Sequence, residues 1–385
     1  MKRVYSSIDL GSDTIKLVVC ELYKGKLNLL AAASVPSRGI KKGVITDPIA
    51  AKSCISQTFK KVEGMLGLKI DKVVAVIPSY FAEYTLIKGE ANIEGEVITA
   101  KDINNAYKNG VIGKLNQNQE FVTVLPIDFK INDRSLLKIP SGFPGDKLFA
   151  RAIMASAPKK NIYSVVTVLE DLGIEVVDVT MGPISDIFAL KTKEIYETVG
   201  VGVNMGAETT TVTLYNRALP VKNTIIQMGG RDIDYKIAEY YGLSLEDARG
   251  LKESFALAHN KNCNHNESIE IVNKHGSKIK IRQAELTEIV MEKLFETLTL
   301  VKKDINLLTN RQIQYIIVSG GASEIKDLEY LVKDILHNRI KIGKIKTVGV
   351  RNNKYSVALG SILYFIEGLK TEGSDYSMLD KNDME

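Results

Sequence analysis

One local design occurs twice in this chain, and the repeat limits the folds open to it. Residues Val4 to Tyr23 run as an alternating strand into Asp9-Leu10-Gly11-Ser12-Asp13-Thr14 and leave as a second strand carrying Lys16. Residues Val199 to Tyr215 read V-G-V-G-V-N-M-G-A-E-T-T-T-V-T-L-Y, with Asn204 standing where Asp9 stands and Gly206 where Gly11 stands. Period-two geometry puts Asp9 at the polar end of a half-buried strand, a position that suits a metal. Gly11 lets the turn bend without a side chain in the way, so the amides and hydroxyls of Ser12 and Thr14 can converge on phosphate oxygens as an anion-binding nest. Lys16 supplies the countercharge, and Ala207, Glu208 and Thr209 complete the second turn. Either hairpin alone also reads as an ordinary polar turn. Two copies imply two related halves.

A third element lies later. Ile313 to Ser323 is a buried strand ending in Gly320-Gly321-Ala322-Ser323, which would let a flat ring lie against bare backbone. Paired phosphate hairpins followed by a late strand and Gly-Gly turn resemble the actin, sugar kinase and heat-shock-70 superfamily. Within it the chain resembles the FtsA family, the actin-like proteins that link the bacterial division ring to the membrane. The likeness runs through Arg38-Gly39-Ile40-Lys41-Lys42-Gly43-Val44 with Asp47, Gly182-Pro183 opening a helix, and Gly229-Gly230 opening another. It continues through Ala248 to Lys252, Ser319-Gly320-Gly321-Ala322, and Tyr355-Ser356-Val357-Ala358-Leu359-Gly360.

The resemblance implies an α/β, actin-like (ribonuclease H-like) two-lobed fold with an inserted α+β subdomain in the first lobe. Residues 1–83 and 157–198 are expected to form the first lobe and 84–156 the insert. The second lobe is expected at 199–228 and 309–369, its outer subdomain at 229–308, and an acidic tail at 370–385. It implies ATP and Mg²⁺ as ligands, with Asp9 and Asn204 facing the metal and Gly229 and Gly230 beside the phosphates. In the family a Glu and a Lys three residues apart grip the nucleoside; Lys252 matches and Arg249 departs from that pattern. The family's Glu before Pro, which positions the attacking water, is Gly182 here, and Asn204 brings no charge, so hydrolysis is expected to be very slow. Asp13 and Glu208 stand where the family more often has small or hydroxyl residues, and would repel a triphosphate unless they face away or contact the metal. Self-association into filaments and the C-terminal peptide of FtsZ are the implied partners, the peptide on the outer subdomain near Lys293, Lys302 and Lys303.

Composition agrees with a globular protein of more than one domain. At 385 residues the chain is too long for one ordinary core. Apolar residues are 45% and charged residues 25%, and a net charge of +5 gives nucleic-acid binding little support. Three widely spaced cysteines fit a reducing compartment, and no apolar run spans a bilayer, so a cytoplasmic protein is expected, and the resemblance implies a place at the cytoplasmic face of the membrane at the division site. His259, Cys263, His265 and His275 lack a paired Cys-x-x-Cys and read as a polar loop rather than a zinc site. The family's basic amphipathic membrane helix has no counterpart: residues 370–385 carry Glu372, Asp375, Asp380, Asp383 and Glu385 against Lys370 and Lys381, with Tyr376, Met378 and Leu379 as bulky apolar residues. Two alternatives stay open, the related pilus-assembly ATP-binding protein and a small-molecule kinase. The kinase needs a carboxylate to activate a substrate hydroxyl, and no Asp stands in a matching motif.

Overall fold

The computed structural model describes residues 2–132, 134–136, 139–337 and 339–379. Asp133 of an expected turn, and Asp380, Lys381, Asp383 and Glu385 of the expected tail, lie outside the described residues. The chain opens with an antiparallel meander of β1 (Arg3–Leu10), β2 (Thr14–Tyr23) and β3 (Lys26–Pro36), in which Asp9 faces Lys16 across the first turn. A small ribbon, β4 (Ile40–Lys41) and β5 (Val44–Ile45), leads to α1 (Pro48–Leu66). Asp47 caps this helix by accepting from the amides of Ile49 and Ala50, Pro48 opens it, and Gly67 closes it in the left-handed conformation. Ile55, Phe59 and Val62 are buried along its inner face. Ile49, in the first turn, is 82% exposed, although its place in the apolar spacing of the helix predicts burial. The strand β6 (Lys72–Ile77) then pairs in parallel with β1.

A separate sheet interrupts the first half. It comprises β7 (Glu83–Asn92), then, after α2 (Ala100–Val111), β8 (Gln119–Ile131), β9 (Arg134–Leu136) and β10 (Lys147–Pro158), in the order β7-β10-β8-β9. The Asp102 carboxylate accepts from both the amide and the hydroxyl of Thr99, so Asp serves in this capping box. α2 lies close on the sheet, where a Cβ at Gly89 would stand 1.9 Å from the Ala106 carbonyl oxygen. After it come α3 (Lys159–Glu170) and β11 (Glu175–Met181), which completes a five-stranded sheet of order β11-β6-β1-β2-β3.

The second half repeats the plan. Beyond α4 (Gly182–Ala189) and α5 (Lys193–Glu197) come β12 (Val199–Met205), β13 (Thr210–Asn216) and β14 (Leu219–Ile226), again an antiparallel meander. An outer layer follows, with α6 (Gly230–Tyr241), α7 (Leu245–Ser254), the ribbon β15 (Ser268–Val272) and β16 (Lys278–Arg282), and the long α8 (Gln283–Leu308). In α8 the spacing of Ile289, Leu294, Leu298, Val301 and Ile305 buries one face, while Leu308 is partly buried. The chain returns as β17 (Tyr315–Ser319), α9 (Leu328–Leu336) and β18 (Ile340–Ile342), both strands parallel to β12 in a sheet of order β14-β13-β12-β17-β18. Each half is therefore a three-strand meander extended by two parallel strands.

α10 (Ser356–Glu372) crosses α4 behind the two sheets. A Cβ at Gly360 would lie 1.7 Å from the Ser185 carbonyl oxygen, so bare backbone is required at the crossing. The expected tail begins later than residue 370. Residues 370–372 finish α10, and residues 374–379 fold back onto β1, where the Met378 amide donates to the Val4 carbonyl at 2.9 Å. The Val4 amide donates to Ser377 Oγ at 2.9 Å, and Met378 and Leu379 are buried.

Candidate functional site

A cleft of about 580 Å³ opens between the two sheets, and both hairpin turns reach it. On the first, Lys16 Nζ lies 3.1 Å from Asp9 Oδ2 and 3.3 Å from the Thr14 carbonyl oxygen, which fixes an ammonium group beside the turn. The two turns share one geometric need. A Cβ at Gly11 would be 2.8 Å from the Thr14 carbonyl oxygen, and one at Gly206 would be 2.9 Å from that of Thr209. At the far side Gly320 adopts a φ of 85°, and a Cβ there would meet the Met205 carbonyl oxygen at 2.5 Å. A bare ledge, Gly320, Gly321 and Ala322, thus borders the cleft.

Of the residues read from the sequence, Asp9, Gly11, Asp13, Thr14 and Lys16 line the cleft from the first half. Asn204, Gly206, Ala207, Thr209, Gly230, Arg249 and Lys252 line it from the second. Ser12, Glu208 and Gly229 stand behind this lining. Ser12 Oγ accepts from the Gly43 amide at 2.6 Å, and the Gly229 amide donates to Asp232 Oδ2 at 2.7 Å beneath α6. Lys252 Nζ is committed to Asp234 Oδ1 at 2.6 Å and to the Gly230 carbonyl at 3.0 Å. Burial raises the Asp234 carboxyl against the opposing pull of Lys252 and Arg249.

The two acids in the turns are neutralised by a residue the sequence reading passed over. Arg231 Nη2 lies 3.1 Å from Asp13 Oδ1, and its Nη1 meets Glu208. Arg249 Nη1 adds a second contact to Asp13 at 2.8 Å, while its Nε pairs with Glu253 at 2.9 Å. The Lys42 amide, from the first half, donates to Glu208 Oε2 at 2.6 Å. Asp13 and Glu208 thus join the halves across the cleft mouth. The signal in the sequence was two turn acids without a local countercharge, and Arg231 follows Gly229-Gly230 directly.

A second omission is Asp186. It lies on α4, only 6% exposed, and lines the cleft. Its Oδ2 accepts from Asn204 Nδ2 at 3.2 Å and from Ser319 Oγ, while its Oδ1 has no well-formed hydrogen bond. Burial raises its carboxyl above the usual range, Ser319, Ser356 and Asn204 oppose the rise, and the charge of Asp9 adds to it. Oxygen donors of this kind suit a hard divalent cation.

The lysines named for a partner differ in their surroundings. Lys293 pairs with Glu296 at 2.8 Å, Lys302 Nζ donates to the Ile335 carbonyl at 2.8 Å near the end of α9, and Lys303 is exposed. His259 pairs with Asp334 at 3.0 Å, and among the described residues no three His, Cys, Asp or Glu gather as a metal cluster. Among the described residues no helix is long and apolar enough to cross a membrane.

Residues 201–360 match the family model of cell division protein FtsA, and residues 83–155 match that of the SHS2 domain inserted in FtsA. FtsA of Bacillus subtilis is 22% identical over 376 residues, covering 96% of this chain and 85% of its own length. FtsA of Escherichia coli K12 is 21% identical over 379 residues, covering 94% and 90%. Among solved structures, the PilM-PilN type IV pilus biogenesis complex aligns over 94% of this chain and 98% of its own, with a TM-score of 0.63 and 16% identity. MreB5 of Spiroplasma citri bound to ADP aligns over 96% and 98%, with a TM-score of 0.57 and 15% identity. These structural likenesses establish the actin-like fold. With both family domains in place and relatives that match along nearly its whole length, this chain is an FtsA-like, actin-like cell division protein.

Proposed function

We propose that the cleft binds ATP with Mg²⁺ and that the protein is a nucleotide-dependent, self-associating scaffold of the division machinery. The observation that carries this reading is the convergence of two glycine turns and the Gly320-Gly321 ledge on one cleft. Amides of the two turns and Lys16 would hold the phosphates, and the ledge would take the flat base. Arg249 and Lys252 would border the ribose. Because Asp13 and Glu208 are already paired with arginine, they oppose an incoming polyphosphate less than bare carboxylates would. Asp9 and Asn204 would face waters of the bound cation, which supplies positive charge against the phosphates. Hydrolysis would be slow, since Gly182 has no side chain to hold an attacking water. A Cβ at Gly182 meets nothing within 4 Å, so the backbone there accepts a side chain, and Gly182→Glu should raise phosphate release.

The protein would act at the cytoplasmic face of the membrane, with the C-terminal peptide of FtsZ docking on the 229–308 layer. Lys303 is the better candidate contact there, since Lys293 and Lys302 have partners of their own. Residues 374–379 are engaged with β1, so this stretch would not be the one that lies on a membrane. Calorimetry with ATP, with and without Mg²⁺, tests the nucleotide reading, and absence of binding in both conditions would overturn it. Pulldown with the FtsZ tail peptide tests the division role. Failure there, with capture by a pilus-assembly peptide instead, would favour the pilus reading.

A further inference from the structure

We infer that Asp186 supplies the second carboxylate of the cation site, in place of the charge that Asn204 lacks. This rests on the nucleotide-binding reading. The two phosphate hairpins are built alike, yet one ends its first strand in an acid, Asp9, and the other in an amide, Asn204. The amide is not left alone. Asn204 Nδ2 donates to Asp186 Oδ2 at 3.2 Å, and Ser319 from the adjacent parallel strand donates to the same carboxylate, so an acid from α4 stands directly behind the position where the repeat leads one to expect it.

Three observations separate this from a carboxylate that is simply part of the core. Asp186 lines the cleft although it is 6% exposed, so its one open direction is toward the cleft. Its Oδ1 is buried without a well-formed hydrogen bond; the Ser356 hydroxyl, which lacks one too, is near enough to act on the carboxyl, and that leaves the oxygen open to a better-placed donor. Asp9 lies near enough on the opposite hairpin for its charge to act on Asp186. Two carboxylates lining one cleft, one of which feels the other's charge, oppose each other until a cation reduces their repulsion. Lys16 already serves Asp9 from one side, and among the described residues no lysine or arginine forms an ion pair with Asp186. A Mg²⁺ hydrate with ATP would meet that need, its waters donating to Asp186 Oδ1 and Asp9.

Carboxylates that orient waters of a bound metal typically contribute about 10 to 100-fold to affinity. Asp186→Asn should therefore lower the affinity for ATP in Mg²⁺ by about that factor, while metal-free ATP binds as in wild type or more tightly. Moving the charge back with Asp186→Asn plus Asn204→Asp should restore the Mg²⁺ dependence. Ser319→Ala, which keeps the charge and removes one hydrogen bond that aims it, should lose a smaller part of the same affinity. Calorimetry with and without Mg²⁺ reads all four proteins, and thermal melting checks that each is folded. A wild-type Mg²⁺ dependence in folded Asp186→Asn overturns the inference. If that variant does not fold, an unaltered Mg²⁺ dependence in Ser319→Ala overturns it instead. A wild type that binds no ATP in either condition sinks the nucleotide reading itself, which is a separate result.

Discussion

Asp178 shows what burial does to a carboxylate away from the cleft. It stands at an irregularity of β11, its Oδ1 accepts from the Val179 amide at 2.8 Å, and burial pushes its carboxyl up to about 6. The Val179 hydrogen bond opposes the rise and Glu372 adds to it. A carboxyl raised in the folded state binds its proton more tightly folded than unfolded, so stability is greatest below about pH 4 and is lost as pH rises through 6. Asp178→Asn should therefore be the more stable protein at pH 7, by up to about 3 kcal/mol, and the advantage should vanish near pH 4. Urea denaturation at both pH values measures this, and equal gains at both would contradict it. Single residues of this kind were the least legible part of the sequence. Asp13 and Arg231 are 218 positions apart, and no local pattern reports that they meet. Asp186 lies four residues past Gly182, on a helix the sequence did place, but which of its sides faces the cleft depends on how α4 crosses α10.

Elements were far more legible, because their signals are local. The hairpin turns follow from glycine between alternating strands, and α1 follows from Asp47, Pro48 and Gly67. The docking of residues 374–379 on β1 has a physical reason. β6 pairs with β1 only over Ser7 to Asp9, which leaves the backbone groups of Val4 open on that side until residues 374–379 arrive. Composition reported acidity there, and open backbone groups some 370 positions earlier decided the outcome. Ending the chain at Gly373 would remove Met378 and Leu379, each worth about 1.5–3 kcal/mol when buried, and would strip β1 of these partners. A loss of several kcal/mol in denaturant unfolding is expected, and a change under about 0.5 kcal/mol would show that the segment is only laid on the surface. At the α4 and α10 crossing, Gly360→Ala must push the helices apart, because its Cβ would sit 1.7 Å from the Ser185 carbonyl oxygen. Overpacking of that sort typically costs about 1–3 kcal/mol or more, so its melting temperature should fall clearly below that of wild type, whereas a Gly368→Ala control, open on all sides, should not.

For the molecule as a whole, the two halves are joined by the helix crossing, by the Leu29 amide donating to the Val348 carbonyl at 3.2 Å, and around the cleft by polar contacts. On one side of the cleft Asn223 Nδ2 donates to the Ser79 carbonyl at 3.3 Å, and Gln227 Nε2 to the Tyr80 hydroxyl at 3.2 Å. On the phosphate side the join is Arg231 with Asp13 and Glu208, Arg249 with Asp13, and the Lys42 amide with Glu208. The side chains of Arg231, Asp13 and Glu208 are 26%, 24% and 17% exposed, so these pairs are weaker than buried ones and open to screening. At roughly 0.2–1 kcal/mol for an exposed pair, losing the two Arg231 pairs should change the balance between closed and open forms by about 2 to 30-fold. Arg231→Gln should accordingly raise the radius of gyration in small-angle scattering and release a fluorescent ATP analogue faster by a factor of that order. Arg231→Lys, which keeps the charge but cannot reach two carboxylates with separate nitrogens, should fall between the two. Raising salt should open wild type toward the Arg231→Gln value and move the variant little. If the variant scatters and releases nucleotide as wild type does at low salt, the Arg231 contacts do not hold the halves together, and closure rests on the helix crossing, the Leu29 bond to Val348 and the Asn223 and Gln227 contacts.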